Sequence, residues 1–363
     1  MKYLNIIYVL FFASFTIQLL YKLYFNSRLL FLKENKNDNE IDISVIICAR
    51  NEIKNLKKNL IKILNQQYKN FEVVVVNDRS WDSSKEYLDA LKEKYENLKI
   101  VNIPDNQTDH FGKKLAITLG IKAAKYSKFL FTDADCYPKS EFWIKEMSKG
   151  FNKEKQIVLG AGIYKKDIGL LNRIIRFDTA FIATNYLSFA KANIPYMGVG
   201  RNLGYTEDVY YFNEGFKSHY HIGSGDDDLF VNQAAKNNNT EIIFTENSLT
   251  VSSAKKTWKH WLFQKRRHHT TNFKYKFRDK TLLSLQYLSS LAFYTCLFLS
   301  VYIQPSKIEI LVCFLTNYIV TIIILYKPFK VLMCKDLLWV HPIYEIILLI
   351  CRPMFQIKKK NII

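Results

Sequence analysis

The chain opens with an apolar run, Tyr3 to Phe25, broken in its second half only by Gln18 and Lys22. Its length suits a bilayer-crossing helix, for which about 20 residues suffice. It exceeds the roughly 7 to 15 apolar residues of a secretory leader and no small-residue cleavage site follows, so an anchor is expected. The polar stretch Lys33 to Glu40 (KENKNDNE) then reads as a solvated linker. From Ile41 the pattern changes to short β-branched runs alternating with segments of helical spacing. Ile43 to Cys48, Phe71 to Val76, Lys99 to Ile103 and Phe129 to Thr132 are the expected strands. Glu52 to Gln67, Lys85 to Tyr95 and Leu115 to Ala124 are the expected helices. This alternation predicts a doubly wound α/β sheet, whose ligands bind beyond the carboxyl ends of the strands. Asn77, Asp78, Asp133 and Asp135 fall at those ends.

Two more apolar runs, Leu282 to Ile303 and Ile308 to Tyr326, flank Gln304, Pro305, Ser306 and Lys307 and predict a transmembrane hairpin. A last one, Leu337 to Ile350, is interrupted by His341, Pro342 and Glu345 and followed by Arg352, Lys358, Lys359 and Lys360. It reads as an interfacial or re-entrant helix. Only Lys2 precedes the first span, while Lys22, Arg28, Lys33 and Lys36 follow, and Lys327 and Lys330 meet the end of the hairpin. The positive-inside rule then places the middle of the chain on the cytoplasmic side of a multi-pass cell (inner) membrane protein. The expected organisation is an anchor at 1–27, a linker at 28–41, a catalytic or binding domain at 42–280, a hairpin at 281–327, and an interfacial helix with a basic tail at 328–363.

Composition narrows the class. Hydrophobic residues at 49% and aromatics at 15% exclude disorder. A mean hydropathy of −0.09 excludes a protein made only of spans. The net charge of +19, from 52 Lys and Arg against 33 Asp and Glu, lies largely on amphipathic segments or beside apolar runs. Anionic lipid is therefore the expected partner, and nucleic acid is not. The six cysteines show no CxxC pair, which predicts free thiols in a reducing compartment. A transporter is disfavoured by the long polar α/β pattern between the spans and the lack of paired intramembrane acids.

The sharpest local feature is Thr132-Asp133-Ala134-Asp135-Cys136 at the end of an apolar strand. Two carboxylates two residues apart offer hard oxygen ligands to Mg²⁺ or Mn²⁺, although Asp is equally at home in a turn or a helix cap. The triplet Asp226-Asp227-Asp228 precedes Leu229, Phe230 and Ala234 and suits either a cluster of coupled acid/base groups or a solvated first helical turn. Lys255 to His269, with Trp258, Trp261, Arg266, Arg267, His268 and His269, suits a membrane-surface helix as well as a catalytic contribution. His268 and His269 lack a spaced partner for zinc.

Context discriminates. Cys48-Ala49-Arg50-Asn51-Glu52 closes the first strand, Asn77-Asp78-Arg79-Ser80-Trp81-Asp82 closes the second, and Gly112-Lys113-Lys114-Leu115-Ala116-Ile117-Thr118-Leu119-Gly120 follows. Together with the Asp133/Asp135 pair, these motifs resemble those of family 2 glycosyltransferases, with Thr118 in place of the usual Asn. Gly198-Val199-Gly200-Arg201-Asn202 is similar to the family's G-x-x-N loop. Ser224-Gly225-Asp226-Asp227-Asp228-Leu229 resembles T-E-D-x-D-L of the processive branch, with Gly225 where that branch has Glu. Gln264-Lys265-Arg266-Arg267-His268 is similar to Q-x-x-R-W, with His268 for Trp. Tyr205-Thr206-Glu207-Asp208 reads as a decoy, because it follows the loop directly and lacks the Asp-Leu continuation.

The resemblance implies an inverting enzyme of GT-A fold, membrane-anchored, moving a sugar from a nucleotide-sugar to a lipid-linked or glycan acceptor. It implies Asp226 as general base within a coupled triplet that includes Asp227, with Gln264 and Arg267 touching acceptor or pyrophosphate. Arg50, Glu52, Asp78, Lys113, Asp133 and Asp135 would bind the donor, and Gly200, Asn202 and Asp228 the acceptor. Asp135, with Asp133, would hold a divalent Mn²⁺ or Mg²⁺. A processive polysaccharide synthase subunit, completed by partner subunits, is the related alternative. A non-catalytic basic membrane protein is the unrelated one, and it would have no need of Asp133, Asp135 or Asp226.

Overall fold

The computed structural model describes residues 2–33, 35, 40–104, 112–236, 238–303 and 308–356. The turn at 304–307, most of the 33–40 linker with Lys36, and the basic residues Lys358 to Lys360 lie outside the described residues. The chain divides into two compact units, one of residues 33–165 and 193–254, the other of 1–32, 166–192 and 255–363. The expected 42–280 segment thus contributes to both.

The first unit holds the strands β1 (Ile43–Ala49), β2 (Phe71–Asp78), β3 (Leu98–Ile103), β4 (Lys128–Asp133), β5 (Cys136–Pro138), β6 (Ile157–Leu159), β7 (Gly162–Tyr164), β8 (Leu203–Thr206), β9 (Thr240–Ile242) and β10 (Thr250–Ser252). Seven of them form one sheet in the order β3-β2-β1-β4-β8-β6-β9, and β5-β10-β7 form a second. The β3-β2-β1-β4 half is wholly parallel, whereas β8 runs antiparallel to both β4 and β6. This is a mostly parallel α/β sheet with flanking helices, and its central strands are the β-branched runs of the sequence, buried on both faces as parallel strands require. On one face Val45, Ile47, Val73, Val75 and Leu130 pack with Leu56, Leu60 and Ile63 of the helix Ile53–Leu64. On the other lies the helix Lys113–Ala123, which approaches so closely that a Cβ on Gly120 would stand 2.7 Å from Ile46 and 3.1 Å from Val76. That contact fixes where the helix begins, and therefore where Lys113 and Lys114 sit.

The second unit is helical. Lys2–Tyr21 continues through a single π-turn at Lys22–Asn26 into Ser27–Leu30, past the expected end of the anchor. The helices Leu170–Lys191, Trp258–His269, Phe277–Ile303, Ile308–Val331, Lys335–Leu338 and His341–Gln356 complete it. Among the described residues, three helices are long and apolar enough to cross a membrane, over Asn5–Leu30, Phe277–Ile303 and Ile308–Val331. Phe11, Phe293, Tyr294 and Ile310 of these helices form an apolar cluster with Leu349 of His341–Gln356. The polar interruptions of the first run are satisfied internally: Lys22 donates to Asn317 Oδ1 at 2.6 Å, and Asn317 donates to Gln18 Oε1 at 3.2 Å. Groups that would be costly in lipid instead tie the first helix to Ile308–Val331. The buried Arg176 of Leu170–Lys191 donates to both carboxylate oxygens of Asp336, at 3.0 and 2.8 Å.

Candidate active site

The parallel register brings the motif residues to one edge of the sheet. Cys48 is level with Asp133, Ala49 with Asn77, and Asp78 with Ile103, so β1, β2 and β4 all end together. The loops after β1 and β2 are then tied to each other. Asn51 N donates to Ser80 Oγ at 2.9 Å, Trp81 N donates to Asn51 Oδ1 at 3.0 Å, and Ile53 N donates to Asp82 Oδ2 at 3.1 Å. Both loops pass through left-handed residues, Asn51 at φ +55° and Arg79 at φ +51°. Asp78 is buried and paired with Arg79 at 2.6 Å. Exposed Arg50 lies 5.7 Å from the Trp81 ring centroid, and Glu52 accepts from Asn55.

Beyond β4 the chain turns at Asp133-Ala134-Asp135, and the turn is held from the side: buried Asn59 donates to the Ala134 carbonyl at 3.0 Å. Asp133, Asp135 and Cys136 have ligand atoms within 4.8 Å of one another. Burial holds the Cys136 thiol well above its usual pKa, so at neutral pH the donors of the group are two carboxylates. Such hard oxygens fit Mg²⁺ or Mn²⁺.

Because β8 runs antiparallel to β4, its first residue Leu203 pairs with Phe131, and the Gly198–Asn202 loop arrives at the same edge. There it meets the acid triplet. Gly200 N donates to Asp227 Oδ2 at 2.7 Å, and a Cβ on Gly200 would stand 3.1 Å from Lys113 Nζ and 3.3 Å from that oxygen. Lys113 joins the two acidic motifs, its ammonium 2.6 Å from Asp133 Oδ1 and 3.0 Å from Asp226 Oδ2. Lys113 is thus in contact with the carboxylates of both motifs. Burial opposes its charge, but Asp133, Asp226 and Asp227 outweigh that and hold its pKa well above the usual range. Asp227 is pushed up to about 7, by burial first and then by Asp226 and Asp228. Asp228 is buried and opens the helix Asp228–Ala234, its carboxylate accepting from Leu229 N at 2.8 Å.

Gly225 explains the departure from the processive pattern. It sits at φ +93°, and a Cβ there would lie 2.5 Å from Leu229 Cδ1, so the backbone that presents Asp226 has no place for a Glu. Asn202 departs from expectation. Its side chain is wholly buried, donating to the carbonyls of Ala161 and Ser248 at 2.7 Å each and accepting from Trp143 Nε1 at 3.0 Å. The amide is consumed in bolting the loop to its neighbours, and it is Gly200 that reaches the acids. Gln264 and Arg267 lie on Trp258–His269 in the helical unit. Buried Trp261 packs on Phe355 with ring centroids 5.4 Å apart, Lys265 pairs with buried Asp178, and Arg266 donates to the Met354 carbonyl at 3.1 Å, which fixes that helix against Leu170–Lys191 and His341–Gln356. Thr206 caps Glu207–Phe212, so Glu207 and Asp208 form its first turn.

One residue escaped the sequence reading. Lys114 is buried, and its ammonium donates to the carbonyls of His219, Ile222 and Ser224 at 2.6, 2.8 and 2.8 Å. It gathers the loop that delivers Asp226.

Residues 44–210 match the family described as Glycosyl transferase family 2. A Haemophilus influenzae protein named "Uncharacterized glycosyltransferase" is 30% identical over 133 residues, covering 36% of this chain and 40% of that protein. The 4,4'-diaponeurosporenoate glycosyltransferase of Staphylococcus haemolyticus is 32% identical over 135 residues, covering 37% of this chain and 35% of that protein. The chain therefore matches less than half the length of these relatives. Among solved structures, a mannosyltransferase from Pyrobaculum calidifontis, determined with GDP-Man and Mn²⁺, superposes with a TM-score of 0.59 at 16% identity, covering 96% of this chain and 98% of that one. That likeness shows the same GT-A fold. The family match is thus carried by residues 44–210, the segment that supplies the Asp78, Lys113, Asp133 and Asp135 side chains and the Gly200 loop of this site.

Proposed function

We propose that the protein is a membrane-bound inverting glycosyltransferase that moves a sugar from a nucleotide-sugar to a lipid-linked or glycan acceptor on the cytoplasmic side of the membrane. The observation that carries this reading is the joining of two acidic motifs by one ammonium: Lys113 contacts Asp133 and Asp226 where the strands end. Inversion at an anomeric carbon needs one base on the acceptor hydroxyl and a stabilised leaving group, and no enzyme nucleophile. Asp226 supplies the base, taking the acceptor proton on its carboxylate. Asp227, which accepts from Gly200 N, fixes the acceptor loop beside Asp226. Asp135 and Asp133 hold the divalent cation, which when bound neutralises charge on the departing nucleoside diphosphate. Asp78 and Glu52 line the nucleoside side, with Arg50 near Trp81.

The helices able to span a bilayer among the described residues support an acceptor that is itself in the membrane. The test is equilibrium binding of UDP-, GDP- and dTDP-sugars to the detergent-solubilised full chain, with Mn²⁺, Mg²⁺ or EDTA, beside Asp135→Ala. We expect one donor class to bind in a cation-dependent way and the variant to lose the cation dependence. No binding across the panel by folded protein would refute the proposal.

A further inference from the structure

Among the buried polar side-chain atoms of the described residues, Thr132 Oγ1 and Tyr205 Oη make no hydrogen bond within the protein, Asp226 Oδ2 has only its ion pair with Lys113 at 3.0 Å, and all three residues line one pocket. They come from different elements: Thr132 from β4, Tyr205 from β8, and Asp226 from the loop ahead of Asp228–Ala234. Thr132 is 3% exposed and Tyr205 1%. Tyr205 has no freedom to turn its hydroxyl elsewhere, because its ring lies between Phe131 and Phe230 at centroid distances of 4.4 and 4.5 Å. Ile46, Ile117 and Leu203 wall the pocket with apolar surface, and Lys113 lies beside Asp226 Oδ2. Native interiors rarely leave buried hydroxyls unpaired, and polar groups around a small space are met by ordered water.

We propose that this pocket is a binding site for one ordered water, which accepts from the Tyr205 and Thr132 hydroxyls and donates to Asp226 Oδ2. The valences balance: two donors enter the water, and one of its protons reaches the carboxylate. The water and Lys113 together fix one oxygen of Asp226, which sets the direction in which the carboxylate meets an acceptor hydroxyl. Tyr205 and Thr132 are thereby positioning residues. This role rests on Asp226 being the base, whereas the water site does not.

Tyr205→Phe and Thr132→Val each delete one hydroxyl at nearly constant volume, and they are to be compared singly and together with the full chain in detergent. If the hydroxyls share a water, each single variant lowers the unfolding temperature, by about 2–4 °C, and the double variant falls no further than the worse single one. Turnover then drops roughly tenfold in each while KM for the donor holds, as expected of a base whose orientation has loosened. A dry pocket gives the opposite sign, because removing an unpaired buried hydroxyl is neutral or stabilising. Unfolding temperatures at or above the parent's, or losses that simply add, would overturn the water site. Coupled losses with unchanged turnover would overturn the positioning role alone, and the unfolding comparison stands even for a protein with no transferase activity.

Discussion

Replacing Lys114 by Met removes an ammonium of which every proton is engaged by a backbone carbonyl, those of His219, Ile222 and Ser224. A hydrogen bond to a charged donor contributes about 1.5–3 kcal/mol, and buried acceptors left behind lose their partners. Two effects offset part of this: the loop can turn some carbonyls toward water, and the variant no longer buries a charge. A net destabilisation of about 2–4 kcal/mol follows, measured as the shift in denaturant midpoint. The kinetic consequence is larger. The 219–225 segment leads directly into Asp226, and a displacement of about 1 Å at a reacting group costs on the order of 100-fold in rate. Lys114→Met should therefore lose about 100-fold in kcat while donor affinity stays within about threefold, since Asp133, Asp135 and Asp78 lie on other segments. Lys114→Arg should not restore the rate, because a planar guanidinium does not match three carbonyls converging on one point. Full turnover by Lys114→Met, with its fold intact, would refute the reasoning.

Other outcomes follow from the same geometry. Asp227 has a folded pKa of about 7, raised by burial and by its acidic neighbours, against about 3.9 in an unfolded chain. The folded state then holds a proton that the unfolded state has released, so this group's contribution to stability is present below pH 4 and is lost as pH rises toward 7. Comparing unfolding midpoints of the parent and Asp227→Asn across that window should show the parent losing stability relative to the variant as pH rises, and parallel profiles would contradict it. Gly225→Ala should destabilise by about 1–3 kcal/mol, from its positive φ and its contact with Leu229, read from chemical denaturation. Asp336→Asn leaves the Arg176 guanidinium buried without its carboxylate and should cost about 2–3 kcal/mol, below the range for a fully buried pair because Asp336 is 35% exposed. Unfolding of the full chain in detergent checks that figure.

The sequence was most legible where one chemical requirement dominates. Strands β1, β2 and β4 are buried on both faces and so write themselves as ISVIIC, FEVVVV and FLF, and the carboxylates at their ends follow from where those runs stop. The helix Leu170–Lys191 went unread because it buries Asn172, Arg176, Asp178, Asn185 and Ser188 along with its apolar residues, which erases the amphipathic stripe. Lys114 was invisible because the second lysine of a Gly-Lys-Lys run looks like a solvated cation. Its partners are backbone carbonyls about a hundred residues away, which leave no trace in side-chain pattern. Asn202 stood in a motif-like position, yet both ends of its amide serve packing, and only the fold shows that Gly200 makes the approach to the acids.

The central claim is that Asp226 acts as base beside a cation-binding acidic pair. The most direct measurement is release of nucleoside diphosphate by the full chain in detergent with its preferred donor, a lipid-linked acceptor and Mn²⁺, for the parent and for Asp226→Asn. The account predicts a loss of about 10²–10⁴-fold in kcat with donor binding preserved, the range for removing a general base. A variant that turns over at the parental rate would contradict it.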